Sequence, residues 1–459
     1  MPNRLSVLAA AVFCLIAVHA HAASDDDDDE KPMPAAPAAR QAVPGGPVAS
    51  EAKPDDAETT GGSLLTSDTL FGDPGGLRSS LAAHGVTFGL AETAEVLANV
   101  TGGVRRGAAF EGLLAMSVGV DTEKAGLWSG GKFNVSAYQI HGRGLSHDNL
   151  GENLNTVSGI EASRATVLFE AWYEQALFDR NVTIRVGQLA LDQEFAVSQY
   201  GELFINRTFG LSTLFNESIQ GGGSSLLLAQ PAIRVKASFP NNTKVLFGVF
   251  EAVDNAGGMG RSSGGILAIG EVQHGLGTGE GQFAGTYKLG GTYQSNTSFE
   301  QRTGQRRHGN WSVYAVADQL IWRKPGSKDE GIGVFARAQG APGDRNLINL
   351  YLDAGLTWKG IIGSREDDTA GIGVGYARIS DTARRSDPEF GHLGNLGRPL
   401  RNNETVLELT YQAEITPWLQ VQPTAQYIFN LNGGVQNPAQ PGKRLSDAAV
   451  IGLRTEITF

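Results

Sequence analysis

The sequence predicts an all-β fold: a transmembrane antiparallel β-barrel of the bacterial outer membrane, with about 16 strands and a long connection folded inward as a constriction loop. Two observations lead to this prediction. After residue 62 no apolar stretch approaches the roughly 20 residues that a spanning helix needs, and short runs of alternating polarity continue to the last residue. The connections between these runs also alternate between long and short, as they do in outer-membrane barrels.

Residues 1–23 have the three parts of a secretory signal peptide. Arg4 forms a basic start, an apolar run extends from Leu5 to Val18, and Ala20-His21-Ala22 supplies the small residues of a cleavage site. The one cysteine of the chain, Cys14, lies in the apolar run. We therefore expect an exported mature chain that is not held together by disulfides.

Residues 24–62 are expected to form a disordered tail. Asp25 to Glu30 is an acidic run, and Lys31 to Thr60 is mostly alanine, proline and small polar residues. Such a composition buries too little apolar surface to offset the entropy cost of ordering. The acidic run accounts for about half of the net charge of -11. The tail is a solvated spacer or contacts a basic periplasmic partner, and residues 63–459 are the predicted barrel domain.

Sixteen runs of alternating polarity mark the predicted strands. They lie near 86–98, 111–121, 131–141, 165–175, 182–189, 232–239, 244–253, 264–273, 285–293, 310–322, 331–339, 349–358, 370–379, 404–414, 419–428 and 448–459. The connections after odd-numbered strands are longer on average than those after even-numbered strands. A barrel with short periplasmic turns and long external loops explains this parity, whereas a soluble sandwich gives no reason for it.

The fourth and fifth strands show the alternation best. One set of positions in the fourth is Val167, Phe169, Ala171 and Tyr173, and the other is Leu168, Glu170, Trp172 and Glu174. In the fifth, Ile184, Val186 and Gln188 alternate with Thr183, Arg185 and Gly187. We expect the polar sets to line the lumen and the apolar sets to face lipid.

The two ends of the barrel carry further signals. The chain ends on an alternating run whose last residue is aromatic, Phe459, and other aromatics lie near strand ends, where interfacial girdles form: Tyr173, Trp358, Tyr411 and Trp418. In the first strand Glu92 and Glu95 fall on opposite faces. A bulge between them would turn both carboxylates into the lumen.

The longest connection runs from Ala190 to Pro231 and follows the fifth strand. A loop of this length is usually functional or disordered, and its aromatic and charged residues favour order. Folded into the lumen, it would narrow a barrel that sixteen strands otherwise leave wide. The alternative is an external flap that shields the rim.

Several spaced blocks resemble the carbohydrate-selective porin family of the OprB type. They are FGDPGGLRSSLAAHG, FEAWYEQALFDRNVTIRVGQLALDQEFAVSQYGELFINRTFG, ELTYQAEITPWLQVQPTAQYIFN and AVIGLRTEITF, which follow the order of the family from about residue 66 onward. Pro74 stands where the family usually has a tryptophan. The resemblance implies an outer-membrane channel that admits small saccharides and whose C-terminal Phe459 is read by the barrel assembly machinery.

Other chemistries have weak signals. Gly260 to Gly264 match a G-x-S-x-G pattern, but a nucleophile elbow requires a helix after it, and here a strand is predicted. The histidines have no metal-ligand spacing, and no basic cluster suggests nucleic acid. We therefore expect no enzyme, no metal and no cofactor. Two function classes remain: a passive saccharide channel, or a plugged barrel that binds or anchors a partner through its periplasmic tail.

Candidate substrate-contacting residues follow from the faces of the fourth to sixth strands and from the long connection. Carboxylate, amide and guanidinium groups can exchange hydrogen bonds with sugar hydroxyls, and a tryptophan face can stack on a pyranose ring. The predicted pore-lining residues are Glu170, Trp172, Arg185, Asp192, Glu194, Asn206, Arg207 and Arg234.

Overall fold

The computed structural model describes residues 67–151, 154–219, 229–254, 261–277, 283–327, 330–393, 400–440 and 442–459. The predicted signal peptide and the predicted tail, residues 1–23 and 24–62, lie outside these ranges.

Sixteen antiparallel strands form one closed sheet in the described part of the chain. Each strand pairs with its neighbours in sequence, and β1 pairs with β16 to close the barrel. All sixteen lie where the alternating pattern predicts them. The strands are β1 Val86–Thr101, β2 Gly107–Asp121, β3 Gly131–Gly142, β4 Ala165–Leu177, β5 Val182–Leu189, β6 Gln230–Phe239, β7 Thr243–Asp254, β8 Arg261–Leu276, β9 Gly285–Phe299, β10 Arg306–Arg323, β11 Gly331–Gly340, β12 Ile348–Lys359, β13 Thr369–Ile379, β14 Asn403–Thr416, β15 Leu419–Phe429 and β16 Ala448–Thr458.

Most of the helical structure lies in the connections. The α-helical pieces are α1 Leu77–Ala83, α2 Arg207–Gly210, α3 Asp381–Leu393 and α4 Leu431–Gly434, and other single turns are Pro74–Gly76, Ser146–Leu150, Leu191–Gln193, Gly201–Leu203 and Phe215–Ile219. No helix among the described residues is long and apolar enough to cross a membrane.

The two faces of the sheet differ as the alternation predicts. In β13, Ile372 and Val374 are exposed on the outer face, whereas Gly373, Gly375 and Ala377 are buried on the inner face. Aromatic side chains meet near strand ends, including Trp322 with Trp358 at 6.2 Å between ring centroids. The buried residues on the inner face are therefore covered by other parts of the protein.

The faces predicted for the start of β4 are wrong because the strand contains a bulge. Ser136 pairs with Glu170 and Ala137 pairs with Leu168, so Phe169 has no partner position in β3. Leu168 therefore faces outward, with 52% of its surface exposed, while Phe169 is buried and stacks on Tyr138. From Glu170 onward the predicted alternation holds.

The bulge that would turn both Glu92 and Glu95 into the lumen is absent. Both neighbours of β1 pair with it in unbroken register across these residues. Glu95 is inward and bonds Arg454, whose Nε lies 2.6 Å from Glu95 Oε1. Glu92 is on the other face, where its Oε1 lies 3.1 Å from His141 Nε2. A histidine partner in β3, rather than a change of face, accommodates this carboxylate.

The last residue of the chain is fixed to the start of the barrel. The Phe459 N–H donates to the Leu90 carbonyl at 2.9 Å, and Arg78 of α1 donates to the Phe459 carbonyl at 2.5 Å. The Phe459 ring lies 5.6 Å from the ring of Phe71. The segment before β1 therefore covers the seam at which the barrel closes.

Candidate functional site

The connection between β5 and β6, residues 190–229, is described at 190–219 and 229, and is called the β5–β6 segment below. It leaves β5 at Ala190, whose N–H donates to Glu170 Oε1 at 2.9 Å. Asn206 caps helix α2, because its Oδ1 accepts from the Thr208 N–H at 3.2 Å. The described part of the segment is therefore a folded chain of short turns, as its aromatic and charged content predicts.

Carboxylates on the inner face of three strands hold the main chain of the segment. Glu271 of β8 accepts from the Ala196 N–H at 2.7 Å. Asp318 of β10 accepts from the Gln199 and Tyr200 N–H groups at 3.2 and 3.3 Å. Glu408 of β14 accepts from the Ile205 and Asn206 N–H groups, both at 2.9 Å. Charge-assisted bonds of this kind are about twice as strong as neutral ones, so the segment is attached at several strands around the sheet.

Aromatic side chains fill the space between the segment and the sheet. Phe204 and Phe209 lie 4.6 Å apart between ring centroids, and Phe335 of β11 lies 5.7 and 6.1 Å from them. Glycines of β13 make room for these rings. A Cβ at Gly373 would lie 3.0 Å from atoms of both Phe204 and Phe209. These rings therefore belong to one buried apolar cluster that joins the segment to the sheet.

Two arginines and two glutamates meet on β4, β5, β6 and the segment, and are called the arginine–glutamate cluster. Arg185 contacts Glu174 at 3.0 Å and Glu194 at 2.8 Å. Arg234 donates to Glu174 at 2.6 Å and, through Nε, to Glu194 at 3.1 Å. Arg185, Glu174 and Glu194 keep 17%, 13% and 19% of their side-chain surface exposed, whereas Arg234 keeps 2%. The first three groups therefore border solvent.

Trp172 belongs to the same wall, but one face of its ring is covered. The guanidinium carbon of Arg185 lies 3.9 Å from the ring centroid, which is a close cation–π contact. The indole N–H donates to Glu170 at 3.2 Å. A pyranose ring would have to use the other face of the indole or displace the arginine.

The remaining predicted residues are not members of this cluster. Glu170 is buried and holds Ala190 and Trp172. Asn206 is fully buried and donates to Gln426 of β15 at 2.9 Å. Arg207 is buried in helix α2, and burial lowers its pKa to about 10. Burial raises the pKa of Asp192, in the first turn of the segment, to about 7.

Sequence reasoning missed several residues that the site uses. Glu174 stands on the predicted polar face of β4, and its two-residue spacing from Trp172 is the signal that places it on the same wall. Asp318 and Glu408 lie on strands far along the chain, and no local pattern links them to the segment. No cluster of metal-ligating side chains occurs among the residues that the structure describes.

Comparisons with known proteins agree with this architecture. The sequence profile of the carbohydrate-selective porin, OprB family, matches residues 105–459. The chain belongs to this family. It is an outer-membrane sugar porin, which confirms the function, the location and the resemblance expected from the sequence.

Individual relatives support the assignment to the OprB family. Porin B of Pseudomonas aeruginosa is 25% identical over 430 residues, which cover 85% of this chain and 91% of the relative. Putative porin QuiX of Acinetobacter baylyi is 22% identical over 428 residues, covering 85% of this chain and 93% of the relative. The high-pH structure of Pseudomonas putida OprB, 24% identical, aligns with a TM-score of 0.78 over 87% of this chain and 100% of that chain. The two sequence relatives are named as a porin and a putative porin, and this OprB-family chain shares the fold of the Pseudomonas putida protein.

Proposed function

We propose that small saccharides diffuse passively to the periplasm past the arginine–glutamate cluster, along a path that the β5–β6 segment narrows. The observation that carries this proposal is a difference in side-chain exposure between two sets of inward-facing charged residues. Arg185, Glu174 and Glu194 border solvent, whereas the Arg454–Glu95 pair retains only 3% and 0% of its side-chain surface.

The cluster has the chemistry that sugar passage needs. Guanidinium N–H groups donate to hydroxyl oxygens and carboxylates accept from hydroxyl protons, so a passing sugar can exchange part of its hydration shell for protein contacts. A net gain of about 0.5 to 1.5 kcal/mol per hydrogen bond attracts the sugar without trapping it. Because Arg185 and Glu194 are already paired, the sugar competes with their mutual contact, which keeps binding weak.

Reconstitution of the purified chain into lipid tests the proposal. We expect ion conductance and a flux of monosaccharides that exceeds the flux of larger sugars. A barrel that inserts but passes neither ions nor sugar would instead support the plugged binding or anchoring protein. Substrate contact stays a prediction for four further residues: Glu170, Asp192, Asn206 and Arg207. Single substitutions at these positions, measured in the same reconstituted system, test it.

We infer that the outer apolar face of the barrel meets outer-membrane lipid and that the assembly machinery engages Phe459. The fixed position of this residue at the closing seam supports the second inference. Phe459→Asp places an anion at the interface and is expected to lower the yield of inserted barrel, measured by heat-modifiable mobility on gels. Normal insertion of this variant would contradict the role of Phe459.

A further inference from the structure

Arg337, a buried arginine outside the arginine–glutamate cluster, bonds both the barrel wall and the main chain of the β5–β6 segment. Arg337 of β11 pairs in register with Asp353 of β12. Its Nε lies 3.1 and 3.0 Å from the two carboxylate oxygens of Asp353, and the Tyr351 hydroxyl donates to the same carboxylate at 2.8 Å. The charge of this arginine, which is 4% exposed, is thus neutralised within the wall.

The other donors of Arg337 point to main-chain carbonyls of the segment. Nη1 donates to Gly210 at 2.7 Å and to Ala196 at 3.3 Å. Nη2 donates to Thr208 at 2.8 Å and to Phe209 at 2.7 Å. Three of the four carbonyls belong to the single turn α2, whose last carbonyls have no partner within the helix. One guanidinium therefore joins both ends of residues 196–210.

A second buried pair shows what a purely structural arrangement looks like in this barrel. Arg454 of β16 bonds Glu95 of β1 and is equally buried. Among the described residues the side-chain hydrogen bonds of Arg454 go to Glu95 alone. This pair joins two strands, whereas the Arg337 pair joins two strands and the segment.

We propose that Arg337 is a positioning residue that sets the width of the channel by holding residues 196–210 in place. The inference rests on the proposed function, because it requires that the segment narrow the path. Without the guanidinium, the carbonyls of Phe209 and Gly210 lose their donor and must bond water, and the Thr208 carbonyl keeps only the Tyr351 hydroxyl at 3.0 Å. The segment then moves from the wall of β11 and β12, and the path through the lumen widens.

Substitutions of Arg337 and of Asp353 distinguish the positioning of the segment from the stability of the barrel wall. Arg337→Lys keeps a cation beside Asp353 but offers one ammonium in place of a planar fork of donors. Asp353→Asn keeps an oxygen acceptor for Arg337 and leaves its carbonyl bonds in place. Arg337→Met removes both functions, and Arg454→Met is the matched control for loss of a buried arginine.

The measurements are single-channel conductance and the relative flux of mono-, di- and trisaccharides into liposomes, for variants shown by heat-modifiable mobility to be folded. We expect conductance to rise at least twofold and trisaccharide flux to rise relative to monosaccharide flux in Arg337→Lys and Arg337→Met. Asp353→Asn and Arg454→Met should keep the size profile of the unsubstituted chain.

Two results would overturn the inference. One is an unchanged size profile in folded Arg337→Lys, and the other is an equal change in Arg337→Lys and Asp353→Asn, which would assign the effect to the ion pair. If Arg337→Met does not fold, the comparison of the other two variants still decides. An unsubstituted chain that passes no sugar would instead refute the proposed function.

Discussion

At the scale of single residues, one substitution in the arginine–glutamate cluster, Glu194→Gln, makes the net charge of the cluster more positive. Glu194 contacts both Arg185 and Arg234, so Glu194→Gln leaves these two arginines with Glu174 as their one carboxylate contact. We expect the anion-to-cation permeability ratio to rise about fivefold, which corresponds to about 1 kcal/mol. Reversal potentials in a salt gradient measure this ratio.

The matched control for Glu194 is another glutamate paired with an arginine. Glu300 contacts Arg307 at 3.0 Å in the connection between β9 and β10. Glu300→Gln should leave the permeability ratio and the sugar flux unchanged. Equal reversal potentials in the two variants would mean that Glu194 does not border the ion path.

Asp192 gives the channel a predicted dependence on pH. Burial raises its pKa to about 7, so the group is mostly neutral at pH 6 and mostly charged at pH 8. Cation preference should therefore increase as pH rises across this interval. Burial raises the pKa of Glu202 to about 7 as well, so Asp192→Asn should reduce the increase and not abolish it. An identical pH dependence in the variant would exclude Asp192 from the ion path.

At the scale of elements, the inner face of β13 is a surface against which side chains of the β5–β6 segment pack. Gly371 and Gly373 face inward, where a Cβ at Gly371 would lie 2.6 Å from Leu203 and one at Gly373 would meet Phe204 and Phe209. Gly373→Val should displace the segment and raise conductance, while the strand itself tolerates valine. Val374→Ile, on the outer face of the same strand, is the control and should conduct as before. A Gly373→Val barrel with normal conductance would show that the rings can move aside.

The elements themselves were accessible from sequence because the alternation of polarity is local. The predicted bounds of β5, 182–189, are those of the structure. The bulge at Phe169 was not accessible, since it depends on which β3 residues pair with Leu168 and Glu170. The burial of Asn206 was not accessible for a similar reason: its partner Gln426 lies far along the chain, and a loop without periodicity does not indicate which of its side chains are buried.

At the scale of the whole molecule, the barrel should not depend on the predicted tail. The described structure has a closed sheet whose seam is covered by residues after 66. Deletion of residues 24–60 from the mature chain should therefore leave insertion and sugar flux nearly unchanged, because disordered segments add little to a folded core. Heat-modifiable mobility and liposome flux check both. Loss of folded barrel after the deletion would assign the tail a structural role.

The way in which the β5–β6 segment is attached has a consequence for engineering and divergence. Glu271, Asp318, Glu408 and Arg337 bind N–H and carbonyl groups of the main chain, which every residue except proline supplies in full. Side chains of the segment that point to solvent can therefore be exchanged without removing these attachments. The segment is in this sense a replaceable insert, and libraries that vary its solvent-facing positions should yield folded barrels with altered solute preferences.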